Sequence, residues 1–121
     1  MASAKQVVLV VEDEPLLRLA AIDMVEDAGF EALAAADATE AVGILESRLD
    51  IRIVFTDIDM PRGMDGMKLA ACIRNRWPPI EIILTSGHLR PACEVLPARS
   101  VFFSKPYRER EIVAAMRKFA A

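Results

Sequence analysis

The stretch Ile53-Val54-Phe55-Thr56-Asp57-Ile58-Asp59-Met60-Pro61 decides how this chain is read. An apolar, β-branched run of strand length carries the backbone to a carboxylate, Asp57, after which Pro61 and Gly63 turn it away. A short continuous apolar run of this kind reads as a strand buried on both faces, as in parallel sheets covered by helices. Two further runs end in the same manner. Val7-Val8-Leu9-Val10-Val11 meets the acidic pair Glu12-Asp13, and Val101-Phe102-Phe103 leads to Lys105-Pro106.

Between these runs the apolar period changes from continuous to helical. Pro15 suits a helical first turn. Leu17, Ala20, Ala21, Met24, Val25 and Ala28 extend one face to about Ala28, where Gly29 stops it. Glu31 to Ala36 is a weaker strand because alanine is a poor strand former. Asp37-Ala38-Thr39-Glu40 has the pattern of a capping box. It opens a helix to about Ser47 that buries Ala41, Ile44 and Leu45. Ile51 to Thr56 is the third strand. Asp65 can cap a helix from Gly66 to about Asn75, with Leu69, Ala70 and Ile73 inward. Ile80 to Ser86 is the fourth strand. Pro91 and Pro97 leave room for only one or two helical turns between His88 and Arg99. The last helix spans Arg108 to Ala120, with Ile112, Ala115, Met116 and Phe119 on its apolar stripe.

Strand and helix alternate five times, which predicts an α/β domain with a parallel sheet covered on both faces. The 121 residues suit one domain, 1–121, and 54% apolar content supports a substantial core. A net charge of -3 argues against a nucleic-acid or anionic-membrane surface. There is no apolar run of membrane-spanning length and no signal-peptide core at Met1 to Gln6. The expectation is a soluble, cytoplasmic protein. Cys72 and Cys93 have no CxxC spacing and read as small core or surface residues rather than as a disulfide or metal ligands.

Ligands of such sheets bind beyond the carboxyl ends of the strands. Those ends carry Glu12-Asp13, Asp57, Thr85-Ser86-Gly87 and Lys105. Any one of them alone is an ordinary cap, turn or loop residue. Their coincidence on one sheet edge points to a shared pocket. Clustered carboxylates repel one another unless a cation or a proton intervenes. A hard divalent ion such as Mg²⁺ resolves this with oxygen ligands and leaves Asp57 able to act as a carboxylate nucleophile toward phosphorus. Lys105 would pair with Asp57 at rest and with a phosphoryl oxygen afterwards.

With those residues in place, the chain resembles the receiver domain of two-component response regulators over nearly all of its length. The resemblance rests on Glu12-Asp13, on Asp57 followed by Met60-Pro61 and Gly66, on the hydroxyl residue ending the fourth strand, and on Lys105-Pro106. It implies a flavodoxin-like five-stranded sheet in the order 2-1-3-4-5. It implies that Asp57 is the phosphoacceptor and that Mg²⁺ is held by Glu12, Asp13, Asp57 and the backbone carbonyl of Asp59. It also implies that Lys105 contacts the phosphoryl group and that the Lys105-Pro106 bond is cis, which only an X-Pro bond adopts cheaply. Thr85 and Ser86 compete for the family's switch hydroxyl. Ser86 is preferred because a small residue, Gly87, follows it, and strand alternation would then turn Thr85 to the opposite face.

The chain departs from that family in two places. The aromatic switch position is Phe102, which has no hydroxyl to hydrogen-bond. The fourth helix is short or irregular, which puts the usual readout and dimer face in doubt and leaves the outer face of helix one as the surface expected to meet a kinase. Asp59 and His88 occupy positions that in the family tune dephosphorylation. Tyr107 should pack beneath its loop.

The resulting expectation is a stand-alone receiver, since the chain ends right after its last helix, or a piece of a longer regulator. It would take phosphate from a histidine kinase or histidine phosphotransfer protein. It would then bind an unknown downstream protein or drain phosphate from a shared kinase, as a monomer or weak homodimer rather than a turnover enzyme. Two alternatives compete. One is a receiver-shaped module that works without phosphate, which has no need of Glu12, Asp13 and Lys105. The other is a haloacid-dehalogenase-like phosphatase suggested by Asp57-Ile58-Asp59. Against it, the motif lies on the third strand, Met60-Pro61 follows it, and the chain has no room for a substrate cap.

Overall fold

Strands β1 (Val7–Val11), β2 (Glu31–Ala35), β3 (Ile51–Asp57), β4 (Glu81–Ser86) and β5 (Ser100–Ser104) form one parallel sheet in the order β2-β1-β3-β4-β5. This is the order implied above. It is seen in a computed structural model that describes residues 5–60, 64–89, 91 and 95–121. The turn expected at Pro61 and Gly63 lies outside the described residues, as do Cys93 and part of the segment between His88 and Arg99. Among the described residues the helices are α1 (Pro15–Asp27), α2 (Ala38–Ser47), α3 (Gly66–Arg76) and α4 (Glu109–Ala120). Among the described residues no α-helix lies between β4 and β5.

The sheet is buried on both faces, which explains the unbroken apolar runs. On one face Val7, Leu9, Val11, Val54 and Leu84 pack with Ala41 and Leu45 of α2 and with Leu69, Ala70 and Ile73 of α3. On the other, Val8, Val10, Ile53, Phe55 and Ile83 pack with Ala21, Met24 and Val25 of α1 and with Ile112 and Met116 of α4. Alternate residues of each strand thus feed two cores, the pattern a period of two requires.

Local rules set the helix boundaries. Pro15 opens α1 and the Glu14 side chain accepts from Leu16 N–H. Asp37 caps α2 by accepting from Glu40 N–H at 2.8 Å. The returning bond of Glu40 comes from Ala36 N–H, one residue before the cap. Asp65 caps α3 through Lys68 N–H. After α1 the chain reverses at Gly29, whose φ of +95° suits glycine.

The expected inner face of α1 needs correction at its first turns. Leu17 is 50% exposed and Ala20 is exposed, while Ala21, Met24 and Val25 are buried. Leu17 looks over a cavity beside the sheet edge rather than onto packed side chains. In α2, Ile44 is half-buried and Ala38 joins Ala41 and Leu45 in the core.

Candidate functional site at the carboxyl edge of the sheet

The strand register brings the chemistry-bearing residues to one edge. Val11 pairs with Thr56, Asp57 with Thr85, and Ser86 with Ser104, so β1, β3, β4 and β5 end at nearly one level. From β1 the chain goes to β2 on one side and later to β3 on the other. The crevice at that reversal lies between Glu12-Asp13 and Asp57.

Three carboxylates meet there. One oxygen from each of Glu12, Asp13 and Asp57 lies within 4.8 Å of the others. Glu12 and Asp57 are buried and Asp13 is half-buried. Lys105 reaches in from the β5 end, with Nζ 2.9 Å from Asp57 Oδ2 and 3.8 Å from Glu12 Oε1. The other oxygen of Asp57, Oδ1, accepts from Asp59 N–H at 3.1 Å. Both Asp57 carboxylate oxygens are therefore held by donors. The Lys105-Pro106 bond is cis. Arg18 of α1 clamps the acidic turn by donating to the carbonyls of Glu12 and Asp13 at 3.0 and 3.5 Å.

The electrostatics follow from burial and proximity. Loss of solvent pushes Glu12 up to about 7. The Glu14 N–H on its Oε2 works against this, while the nearby Asp13 and Asp57 add to it. Burial also disfavours the Lys105 ammonium. The hydrogen bond and charge of Asp57, with the charge of Glu12, outweigh that cost and hold Lys105 above its ordinary range. One lysine is thus shared between two buried carboxylates. This donor set of three acidic side chains, too negative to be fully ionised without help, fits a hard divalent cation such as Mg²⁺.

Gly66 completes the wall behind Asp57. Its N–H donates to the Ile58 carbonyl at 3.2 Å. A Cβ there would sit 2.3 Å from the Asp57 carbonyl oxygen and 2.7 Å from Ile58 Cα. Only glycine lets α3 start this close to the end of β3.

The residues at the end of β4 divide between two places. Thr85 lines a cavity of about 450 Å³ together with Glu12, Leu17, Phe55, Asp57, Lys105 and Tyr107. Thr85 thus shares a cavity with Asp57, while Ser86 does not line it. Ser86 is buried, and its hydroxyl lies 2.8 and 3.0 Å from the two carboxylate oxygens of Asp59. Asp59 thus keeps its carboxylate on Ser86, apart from the three-carboxylate group, and leaves its backbone carbonyl as the atom the resemblance names. His88 is exposed. Phe102 is half-buried against the α2–α3 core. Tyr107 packs edge-on against Phe55 with centroids 5.9 Å apart, and burial raises its phenol. Sequence reasoning did not find the Arg18 clamp or the Asp59–Ser86 contact. Adjacency of β3 and β4 was the one signal that hinted at the second.

The class these features define is a doubly wound α/β domain with three carboxylates and one lysine gathered at its switch point. The family model for the response regulator receiver domain matches residues 8–117. The chain therefore belongs to the receiver domain family of response regulators in two-component systems.

Among curated proteins, it is 34% identical over 115 residues to a positive alginate biosynthesis regulatory protein of Pseudomonas aeruginosa. That match covers 92% of this chain and 46% of the relative. It is 31% identical over 120 residues to the sensor kinase CckA of Brucella abortus, covering 96% of this chain and 13% of the relative. The chain spans less than half the length of either protein. Among solved structures, a receiver protein from Sinorhizobium medicae superposes with a TM-score of 0.84 at 28% identity, covering 95% of this chain and 94% of that one. The response regulator TrrA of Thermotoga maritima, solved in complex with Mg²⁺ and BeF, superposes with a TM-score of 0.83 at 28% identity, covering 94% and 98%. Among the described residues no helix is long and apolar enough to cross a membrane.

Proposed function

We propose that this receiver accepts a phosphoryl group on Asp57, from a phosphohistidine of a histidine kinase or phosphotransfer protein, in a Mg²⁺-dependent reaction. The observation that carries the reading is the Asp57 carboxylate held between Lys105 Nζ and Asp59 N–H, with Glu12 and Asp13 within reach. An Asp57 oxygen bonds to phosphorus as the phosphorus–nitrogen bond of the donor imidazole breaks, and the freed imidazole takes a proton from solvent. Lys105 then moves its charge from Asp57 to a phosphoryl oxygen. Glu12, Asp13, Asp57 and the Asp59 carbonyl would hold the metal. Bound there, Mg²⁺ supplies charge neutralisation between the acidic walls and the incoming phosphate. Nothing in this cycle requires turnover of a separate substrate, so the domain works as a switch or a phosphate reservoir.

The docking surface for the donor is the outer face of α1. Leu16 and Leu19 are 74% and 58% exposed there, on the helix whose Leu17 and Ala21 line the Asp57 cavity. Large apolar side chains grouped so openly beside a reactive site suit a partner's helix better than water.

Incubation with acetyl phosphate and Mg²⁺ tests the assignment. Intact mass should rise by one phosphoryl group in the wild type and not in Asp57→Asn. Equal labelling of the variant would refute it.

A further inference from the structure

The hydroxyl of Ser86 is fully committed. A serine hydroxyl has one proton to donate and room to accept about two hydrogen bonds. Here the proton lies between the two oxygens of Asp59, at 2.8 and 3.0 Å, while Oγ accepts from Leu89 N–H at 2.8 Å and His88 N–H at 3.1 Å. The Asp59 carboxylate also accepts from Gly87 N–H at 3.1 Å. Asp59 in turn donates its own N–H to Asp57 Oδ1. A continuous chain of hydrogen bonds therefore runs from the Asp57 carboxylate through Asp59 and Ser86 to the backbone of residues 87–89.

We infer that Asp59 is a latch: its carboxylate occupies the Ser86 hydroxyl while Asp57 is unmodified and lets it go once Asp57 carries a phosphoryl group. The inference rests on Asp57 being the phosphoacceptor. Ser86 has a single proton, so it cannot donate to a phosphoryl oxygen while it donates to Asp59. Phosphorylation replaces the single negative charge on Asp57 with about two, two residues from the half-buried carboxylate of Asp59. Like charges brought together there repel more strongly than in bulk solvent. Asp59 is half-exposed and can swing toward water. Ser86 then turns its proton to the phosphoryl group, and the turn held by its oxygen, His88 with the exposed Leu89, shifts with it. This gives the domain an output segment at the end of β4 that does not depend on a regular helix between β4 and β5. Asp59 acts as a positioning residue, through Ser86.

The test reads the backbone amide signals of His88 and Leu89 by NMR, in full-length protein with and without acetyl phosphate and Mg²⁺, while intact mass reports labelling. In the wild type both signals should move on phosphorylation. In Asp59→Ala, without phosphodonor, both should already lie more than half-way to the phosphorylated positions, because Ser86 has been released. Asp59→Asn keeps an acceptor for Ser86 but no charge. Its unmodified signals should stay near the wild type, and phosphorylation should move them less. In a Ser86→Ala background, adding Asp59→Ala should move neither signal further.

Wild-type-like signals in unmodified Asp59→Ala, or a full wild-type response in Asp59→Asn, would overturn the latch even when Asp57 labels normally. Failure of the wild type to label would instead remove the phosphoacceptor reading and the release step with it. The unmodified Asp59→Ala comparison would still report whether Asp59 holds Ser86.

Discussion

Lys105 Nζ stands 2.9 Å from Asp57 Oδ2 and 3.8 Å from Glu12 Oε1, so a single ammonium from the end of β5 serves carboxylates from the ends of β3 and β1. The two carboxylates are 48 and 93 positions from the lysine along the chain. Only the β2-β1-β3-β4-β5 order brings them together. Replacing Lys105 with Ala leaves two buried carboxylates without their counter-charge and a phosphoryl group without its cationic donor. Labelling by acetyl phosphate should slow by about 10²-fold, the usual effect of losing one such donor. A rate within twofold of the wild type would place the lysine outside the reaction.

Glycine at position 66 is demanded by the backbone of Asp57 itself. A Cβ 2.3 Å from the Asp57 carbonyl oxygen forces α3 or the end of β3 to move. Gly66→Ala should therefore cost about 1–3 kcal/mol in urea denaturation, the range for overpacking, and reduce labelling in the fraction that stays folded. An unchanged midpoint together with normal labelling would show that the contact is relieved elsewhere.

The raised Glu12 makes the metal-free domain pH-sensitive. Below about pH 4.5 the carboxyl is protonated in both folded and unfolded chains, and it contributes nothing. Between 4.5 and about 7 the unfolded chain ionises it while the folded chain keeps the proton, so stability falls as pH rises through that window. Above it the full penalty stands, on the order of 3 kcal/mol. Glu12→Gln cannot ionise. Urea denaturation without Mg²⁺ should thus show the variant gaining on the wild type from pH 5 to 8, and Mg²⁺ should narrow the gap. A difference that stays flat with pH would contradict this account.

The α1 surface separates docking from chemistry. Leu16→Ser with Leu19→Ser alters exposed side chains that do not line the Asp57 cavity. Acetyl phosphate should label this double variant at the wild-type rate. Transfer from a phosphorylated histidine phosphotransfer domain that labels the wild type should drop at least about tenfold, the equivalent of about 1.4 kcal/mol of lost contact. Equal loss with both donors would point to damage at the site instead.

The sheet was readable in the chain because strands buried on both faces spell themselves as unbroken Val/Ile/Leu runs, and because Pro15, Gly29, Asp37 and Asp65 punctuate the helices by local chemistry alone. The acidic group and Lys105 were readable for a related reason: a residue that ends a parallel strand has its edge of the sheet fixed by topology. Finer contacts were not. Periodicity assigned Leu17 and Ala20 to the core but cannot register that a cavity opens beneath the first turn of α1. Nor can it say that Asp59 spends its carboxylate on Ser86, since this depends on how two strand ends turn after leaving the sheet. Strand alternation put Thr85 on the face opposite Ser86, but it could not register that this face opens onto the cavity beside Asp57.

The most direct measurement locates the phosphoryl group. Protein labelled with acetyl phosphate and Mg²⁺ is reduced with borohydride, which converts an aspartyl phosphate to homoserine, and is then sequenced by tandem mass spectrometry. Homoserine should appear at position 57 and at no other carboxylate. Homoserine at position 13 or 59, or phosphate surviving on a hydroxyl side chain, would contradict the account.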